Sequence, residues 1–307
     1  MLKRFNFQPG IYKEGTAYSN EGRFYDGSFV RFRSGKPEKM GGWTKKYATT
    51  FVGVCRKIKQ WVSLSGVRYI GLGTTKKTYV AIGSVFNDVT PIRLTTSAGD
   101  ATFSATASSS IITCNETGHG AVLGDFVTFS SAASLGGNIT AAVLNQEYEI
   151  TEISSANAFT FTAKDTSGAT VTANSSDTGN GGGSTVAAYQ INIGLDVAVP
   201  GGGWGSGPWN SGTWGTSSGD TLTNTLRLWS LDNFGEDLVL NPRLGSIYLW
   251  DATNETNRAL ELTDISGNDN PPTECLQIVV STQDRHVLAI GCNPFGESNI
   301  DLMQIRW

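Results

Sequence analysis

Short runs of alternating apolar and polar residues, separated by glycine, asparagine and aspartate, recur along this chain. Three groups of such runs stand out, at residues 58–82, 226–250 and 275–307. Alternation with a period of two and a high β-branched content predict strands, and the interruptions predict tight hairpin turns. Each group is therefore predicted to form three successive antiparallel strands.

Repeated units of three or four strands are typical of the blades of a β-propeller. Closed propellers contain about four to eight blades, so three units do not complete one. We therefore expect an all-β chain with a partial β-propeller-like scaffold. Either the sequence is a fragment of a longer protein, which we favour, or neighbouring subunits complete an open set of blades.

Residues 94–187 differ in composition from both flanks. This segment is dominated by Ser, Thr, Ala and Gly, and Lys164 is its single basic residue. Insertions are tolerated where both ends lie at a surface loop. We expect a basic N-terminal segment with the first blade elements at 1–93, an inserted small β-sandwich or barrel-like domain at 94–187, and a Trp/Gly loop with further blades at 188–307.

Charge is distributed unevenly over these regions. Residues 1–93 contain 17 basic and 5 acidic residues, a net charge of +12, whereas residues 94–187 and 188–307 carry −7 and −9. Such asymmetry concerns the partners of a protein rather than its fold. It permits two interpretations of the basic segment: a surface for DNA phosphates or an acidic neighbour, or a solvated face that balances the acidic remainder.

Basic residues in the N-terminal segment are interspersed with aromatic ones. In a DNA conduit, tight phosphate binding would hinder sliding, so we expect these cations mainly at protein interfaces. The predicted interface residues are Arg31, Arg33, Lys45, Lys46, Arg56, Lys57 and Lys59.

Three tryptophans in a glycine-rich loop form a second predicted interface. Trp204, Trp209 and Trp214 are five positions apart. A disordered linker does not normally carry three indoles, and each indole buries a large area when it meets a surface. We expect this loop to anchor a protein contact, because indoles at a contact centre carry much of the binding energy.

Few residues suggest catalysis. His119 lies in a Gly-His-Gly turn near Asp125, but no nucleophile with a matching pattern accompanies it, so a structural role is favoured. His286 lies within a predicted apolar strand, where we expect a satisfied sheet residue. No catalytic residue is therefore predicted.

Cofactor and metal sites are not predicted either. The glycine run at 201–207 lacks the Gly-Lys-Ser/Thr ending of a phosphate-binding loop, and the Asp-rich turn at 264–270 lacks EF-hand spacing. The four cysteines are far apart in the sequence, which favours reduced, buried thiols. The chain has neither an apolar run of about 18 residues nor a secretory signal, so no membrane span is expected.

Several motifs together carry a family resemblance. The opening Phe-Asn-Phe-Gln-Pro-Gly-Ile-Tyr-Lys-Glu-Gly-Thr, the run from Arg31 to Lys39, Gly41-Gly42-Trp43 and residues 226–251 resemble structural proteins of tailed bacteriophages. The resemblance is to the tail nozzle proteins (tail tubular protein B-like) of short-tailed phages, over about residues 1–93 and 188–307. The inserted segment resembles a small β module of phage tail and fibre proteins, with a Gly-His-Gly turn and a final Asn-x-Phe-Thr-Phe strand.

The resemblance implies a non-enzymatic structural protein of the phage virion, assembled in the host cytoplasm. It implies a homo-oligomeric ring, usually a hexamer, below the head-to-tail adaptor protein. The ring would conduct and gate the genome at ejection and anchor tail fibres. Its partners would be other copies of itself, the adaptor, the fibres and, transiently, phage DNA.

Two other functions remain open. One is a receptor-binding or fibre-like tail protein that uses the inserted domain. The other is a propeller-based virion glycan hydrolase, which would need paired carboxylates in a pocket. Asp232, Glu236 and Asp237 are the tightest acidic group in the blade region, but they lie in a predicted hairpin turn, where solvated caps are favoured.

Overall fold

The computed structural model describes residues 7–175, 179–192, 228–281 and 283–307. Strands dominate these residues, which also include a short helix, α1, at Ala141–Leu144. The expected all-β class is therefore confirmed. The chain divides into two compact units, Met1–Ala48 and Thr49–Trp307.

The first unit contains two small two-stranded sheets. Its strands are β1 (Gln8–Ile11) and β2 (Arg23–Phe24), which pair in parallel, and β3 (Val30–Arg33) and β4 (Lys36–Lys39), which form an antiparallel hairpin. Ser34 and Gly35 at the tip of that hairpin have φ values of 49° and 75°, as a tight two-residue hairpin turn requires. Among the described residues of this unit, no apolar side chain is buried.

The second unit contains three antiparallel sheets in which each strand pairs with the next. The first sheet comprises β5 (Cys55–Val62), β6 (Arg68–Thr74), β7 (Thr78–Ile82) and β8 (Val85–Asp88). The second comprises β16 (Trp229–Phe234), β17 (Asp237–Pro242), β18 (Tyr248–Trp250) and β19 (Leu260–Glu261). The third comprises β20 (Cys275–Val280), β21 (Val287–Cys292) and β22 (Asp301–Arg306).

These sheets pack face to face in chain order, with β16 contacting both β5 and β20. Strand β17 is buried on both faces. Leu238 and Leu240 pack with Trp61 of the first sheet, while Val239 packs with Ile278 of the third. This burial explains why β17 is a continuous apolar run instead of an alternating one. Small meander sheets stacked along their first strands are the blade-like scaffold expected from the sequence.

The inserted segment forms its own sheet of seven strands. They are β9 (Ile92–Thr95), β10 (Thr102–Ala105), β11 (Ile111–Asn115), β12 (Phe126–Ser130), β13 (Glu147–Ser155), β14 (Ala158–Thr162) and β15 (Val186–Gln190). Their order is β10-β11-β14-β13-β12-β15-β9. The Phe103 amide of β10 also donates to the Asn180 carbonyl at 2.9 Å, so the sheet curls toward the segment that enters β15. Phe129, Phe159 and Phe161 are buried inside it.

Candidate interaction surfaces

The basic residues predicted on β3 project from an exposed hairpin. Arg31 Nε lies 3.2 Å from Glu38 Oε2 on the neighbouring strand; the Arg31 side chain is mostly exposed and that of Glu38 is partly exposed. Arg33 is also exposed. Exposed ion pairs contribute about 0–1 kcal/mol, so this pairing leaves Arg31 available to another carboxylate.

Two further predicted lysines follow this hairpin. Lys45 Nζ donates to the Ala48 carbonyl at 3.0 Å, and Lys46 Nζ lies 5.7 Å from the centre of the Tyr47 ring. Both side chains are exposed. The described cations of the first unit thus lie on its surface.

The first unit also exposes large aromatic side chains, which were not among the predicted interface residues. Trp43 is 98% exposed and Tyr18 is 91% exposed. The described aromatic side chains of this unit that are more than half exposed are Phe7, Tyr18, Tyr25, Phe29 and Trp43. Such an apolar surface beside cations is typical of a protein-binding site.

The predicted residues on β5 have different surroundings. Lys59 Nζ lies 2.7 Å from Asp232 Oδ1 on β16, so it joins the first sheet to the second. Burial opposes ionisation of Asp232, but Lys59 and the Val280 amide outweigh it and lower the Asp232 pKa. Lys57 is exposed, and Arg56 is partly buried.

A buried charge network joins the first sheet to the insert. Lys77 is 2% exposed, and its ammonium lies 2.8 Å from Asp88 and within hydrogen-bond distance of Glu147 on β13. Arg258 contacts the same two carboxylates at 2.9 and 3.3 Å. Next to this network, Lys76 forms an ion pair with Glu149 of the insert. Two cations and two anions thus balance at the centre of the network, which fixes the insert to the scaffold.

The pKa of Asp88 follows from this network. Burial favours the neutral carboxyl, but the Lys77 and Arg258 charges outweigh burial and hold its pKa below the usual range. Lys76 and Lys77 lie between β6 and β7. Their partners in the insert are about 70 positions away, at a distance that no local pattern could reveal.

His119 occupies a structural position in the insert. It is buried, its Nδ1 accepts the Ala121 amide proton at 3.0 Å, and its Nε2 lies 3.1 Å from the Ser155 carbonyl. The Phe159 ring packs edge-on against it at 5.1 Å. Both ring nitrogens are thus occupied, as the structural interpretation predicts.

A buried carboxyl near His119 was not identified from the sequence. Tyr189 donates its hydroxyl proton to Glu116, and the Arg93 guanidinium lies 5.0 Å above the Tyr189 ring. Burial raises the pKa of Glu116, although the Tyr189 hydrogen bond opposes the rise. Because Tyr189 is fully buried, a substrate has no access to this pair, which therefore packs the insert.

The expectation for His286 needs correction. It was placed inside an apolar strand, but it lies in the turn before β21 and is exposed. Arg285 adopts a left-handed φ of 53°, which completes the turn and delays the start of the strand. The His286 ring instead lies 5.3 Å from that of Trp307, edge to face.

His286 and Trp307 line a cavity of about 390 Å³ between the second and third sheets. Apolar residues such as Val239 and Leu249 line it together with polar ones such as Asp269 and Arg285. The described wall contains one carboxylate, Asp269, whereas glycoside hydrolysis by the two-carboxylate mechanism needs a pair.

The acidic hairpin group has structural partners as well. Glu236 accepts the Leu64 amide proton at 2.6 Å, and Asp237 accepts that of Ala252 at 2.9 Å. Asp232 belongs to the ion pair with Lys59. These carboxylates therefore connect neighbouring sheets and loops.

Other sites can be considered only for the described residues. Among these, no group of three or more His, Cys, Asp or Glu side chains is arranged to hold a metal ion. No helix within them is long and apolar enough to cross a membrane. Cys275 and Cys292 are opposite each other on β20 and β21 as free, buried thiols, although they are far apart in sequence. Trp204, Trp209 and Trp214 lie outside the described residues.

Comparison with known proteins gives a weak likeness to a solved structure. No protein-family model matches the chain, and no curated protein matches it. Among solved structures, the chain is similar to the phage phi92 endosialidase, with 14% identity and a TM-score of 0.25. The alignment covers 83% of this chain and 36% of the other, so this chain spans about a third of that protein's length. A likeness this weak assigns no reaction or site residue.

This comparison corrects one expectation. The chain was expected not to be an enzyme, but the similar structure is named as an endosialidase, which is an enzyme. That expectation is contradicted and is withdrawn. By its name the neighbour is also a phage protein, the broad class that the sequence resemblance implies.

Proposed function

We propose that this chain is a component of a bacteriophage tail and that copies of it assemble into an oligomeric nozzle, usually a hexamer, below the head-to-tail adaptor. The motif resemblance to nozzle proteins and the stacked blade-like sheets support this proposal. In this role the sheets form the wall of a tube that conducts and gates phage DNA at ejection. Tail fibres attach to its outer surface.

The observation that carries the proposal is the presence of exposed apolar side chains on strands of the first and third sheets. Ile58 and Val62 on β5 are more than half exposed, and so are Met303 and Ile305 on β22. Exposed apolar patches mark protein–protein contacts. Two different patches on one chain suit heterologous contacts, which close into a ring when the rotation permits.

The native mass of the purified chain, measured by light scattering with electron micrographs of the same sample, tests this proposal. A closed ring, in particular of six subunits, supports the nozzle. A trimer would favour a fibre instead, and a monomer at all concentrations would contradict assembly. Immunogold labelling of phage particles should place the chain on the tail.

Variants test whether the exposed strands form the contacts. Met303→Glu combined with Ile305→Glu should prevent ring formation, because it places charges in an apolar contact. Leu123→Glu in the insert serves as the matched control, since Leu123 is also more than half exposed. If rings form equally well in both variants, β22 is not part of the contact between subunits.

Recognition of a host receptor by the insert is a second candidate function. The insert has its own apolar core, and it exposes Ile111, Val122 and Leu123. Val122 and Leu123 are adjacent in the loop before β12. Binding of the full chain to host cells, lost in a Leu123→Ser variant that still forms rings, would favour this function.

A further inference from the structure

Residues 7–48 form strands without forming an apolar core. The single buried residue among them is Asn20, whose side-chain amide donates to the Glu14 carbonyl at 2.8 Å. Ordering a residue costs roughly 1–2 kcal/mol of backbone entropy, which folding normally offsets by burying apolar surface. A segment of this kind becomes stably ordered when a partner covers its apolar side chains.

The exposed aromatic side chains of this segment provide enough surface for a partner. A buried aromatic side chain removes about 150–250 Å² from water. The five that are more than half exposed can therefore supply several hundred Å² of the ~800 Å² that each partner contributes to a typical stable interface. Trp43 and Tyr18 are the most exposed of them and are residue types enriched at binding hot spots.

The net charge of the first unit indicates which kind of partner surface it binds. Residues 1–48 contain 10 basic and 4 acidic residues, a net charge of +6, whereas residues 49–307 contain 13 basic and 23 acidic residues, a net charge of −10. Opposite charge speeds encounter and fixes which surfaces meet. Another copy of the same chain therefore offers the complementary acidic surface.

We infer that Met1–Ala48 is a docking arm that binds the unit Thr49–Trp307 of a second copy of this chain. The exposed aromatic side chains are its anchors, and the lysines and arginines steer it. The inference rests on the proposed assembly of copies and names the segment that joins them. An arm that binds the next copy without a reciprocal exchange makes a heterologous contact, the kind from which rings are built.

A double substitution in the full-length chain tests the arm. Trp43→Ser combined with Tyr18→Ser removes the two most exposed anchors, and because neither side chain is buried, the fold should be retained. We expect the protein concentration at which half the chains are assembled to rise at least tenfold. Ile111→Ser combined with Leu123→Ser is the matched control and should leave that concentration unchanged.

A photo-cross-linker identifies the surface that the arm binds. With p-benzoylphenylalanine in place of Trp43, we expect an adduct of two chains whose second peptide comes from residues 49–307. Cross-links confined to one chain would overturn the inference. The inference would also be overturned if the Trp43→Ser, Tyr18→Ser variant formed rings as well as the wild-type chain does. That result would not contradict the proposed ring itself. A wild-type chain that stays monomeric would overturn both.

Discussion

Lys77 shows how completely the role of a residue can depend on a distant partner. Its ammonium is buried between Asp88 and Glu147, so the variant Lys77→Met leaves two carboxylates without their principal cation. Removing one partner of a buried ion pair costs about 3–5 kcal/mol. We expect a loss of this size in the free energy of unfolding by urea. Lys57→Met, at an exposed position, should change it by less than about 0.5 kcal/mol.

Acid should weaken the same network. The pKa of Asp88 is lower in the folded chain, where Lys77 and Arg258 overcome the effect of burial. Its stabilisation is therefore present above the unfolded pKa of about 3.9 and is lost as pH falls through the folded pKa. The variant Asp88→Asn should be less stable than wild type at pH 7, and acidification should narrow the gap. A gap in unfolding free energy that does not change with pH would contradict this assignment.

Residue roles were predictable where local sequence determines them. The turn that holds His119 could be read from its two flanking glycines, and its structural role follows from contacts within the insert. The pairing of Lys77 with Glu147 could not be read, because only the packing of the insert on the first sheet brings these residues together. The partner of a charged side chain depends on the tertiary fold, whereas the conformation of a turn depends on the residues next to it in the sequence.

The strands were largely predictable, since each combines β-favouring residues with turn signals. The predicted groups at 58–82, 226–250 and 275–307 correspond to strands of three separate sheets. The outer strands β8 and β19 were missed, because they have four and two residues and little alternation. The parallel pair β1–β2 was missed as well, because pairing between separate segments leaves no local pattern.

Glycines on β6 permit the close contact between the first and second sheets. A Cβ atom at Gly73 would lie 2.3 Å from Trp229 Cγ, and the Trp229 indole donates to the Thr74 carbonyl at 2.7 Å. Gly73→Ala should therefore displace the indole from the sheet interface. We expect a loss of about 1–3 kcal/mol in the free energy of unfolding, as for other overpacked cores, with changed tryptophan fluorescence.

A control substitution separates the effect of this clash on stability from the general effect of replacing a glycine by alanine. A Cβ atom at Gly183 would meet nothing within 4 Å, and Gly183 does not have a left-handed φ. Gly183→Ala should keep the wild-type melting temperature. Equal melting temperatures for Gly73→Ala and Gly183→Ala would show that the sheets can separate without cost at this point.

At the scale of the whole molecule, the basic residues behind the charge asymmetry of the sequence have two different roles. Lys59, Lys76 and Lys77 form ion pairs within the second unit, where they join sheets and hold the insert. The described cations of the first unit are exposed, and some form weak surface pairs such as Arg31–Glu38. The same compositional bias thus stabilises the fold in one region and is available for assembly in another.

This division predicts that salt separates assembly from folding. The Debye length falls from about 10 Å at 0.1 M ionic strength to about 3 Å at 1 M, so exposed charges are screened, whereas buried pairs such as Lys77–Asp88 are screened far less. Light scattering should show weaker assembly over this range, while the circular dichroism spectrum is unchanged. Lys45→Glu combined with Lys46→Glu should weaken assembly at low salt and reduce its salt dependence. Salts that are excluded from the protein surface strengthen apolar contacts. An assembly that becomes tighter as salt rises would therefore mean that apolar contacts alone join the copies.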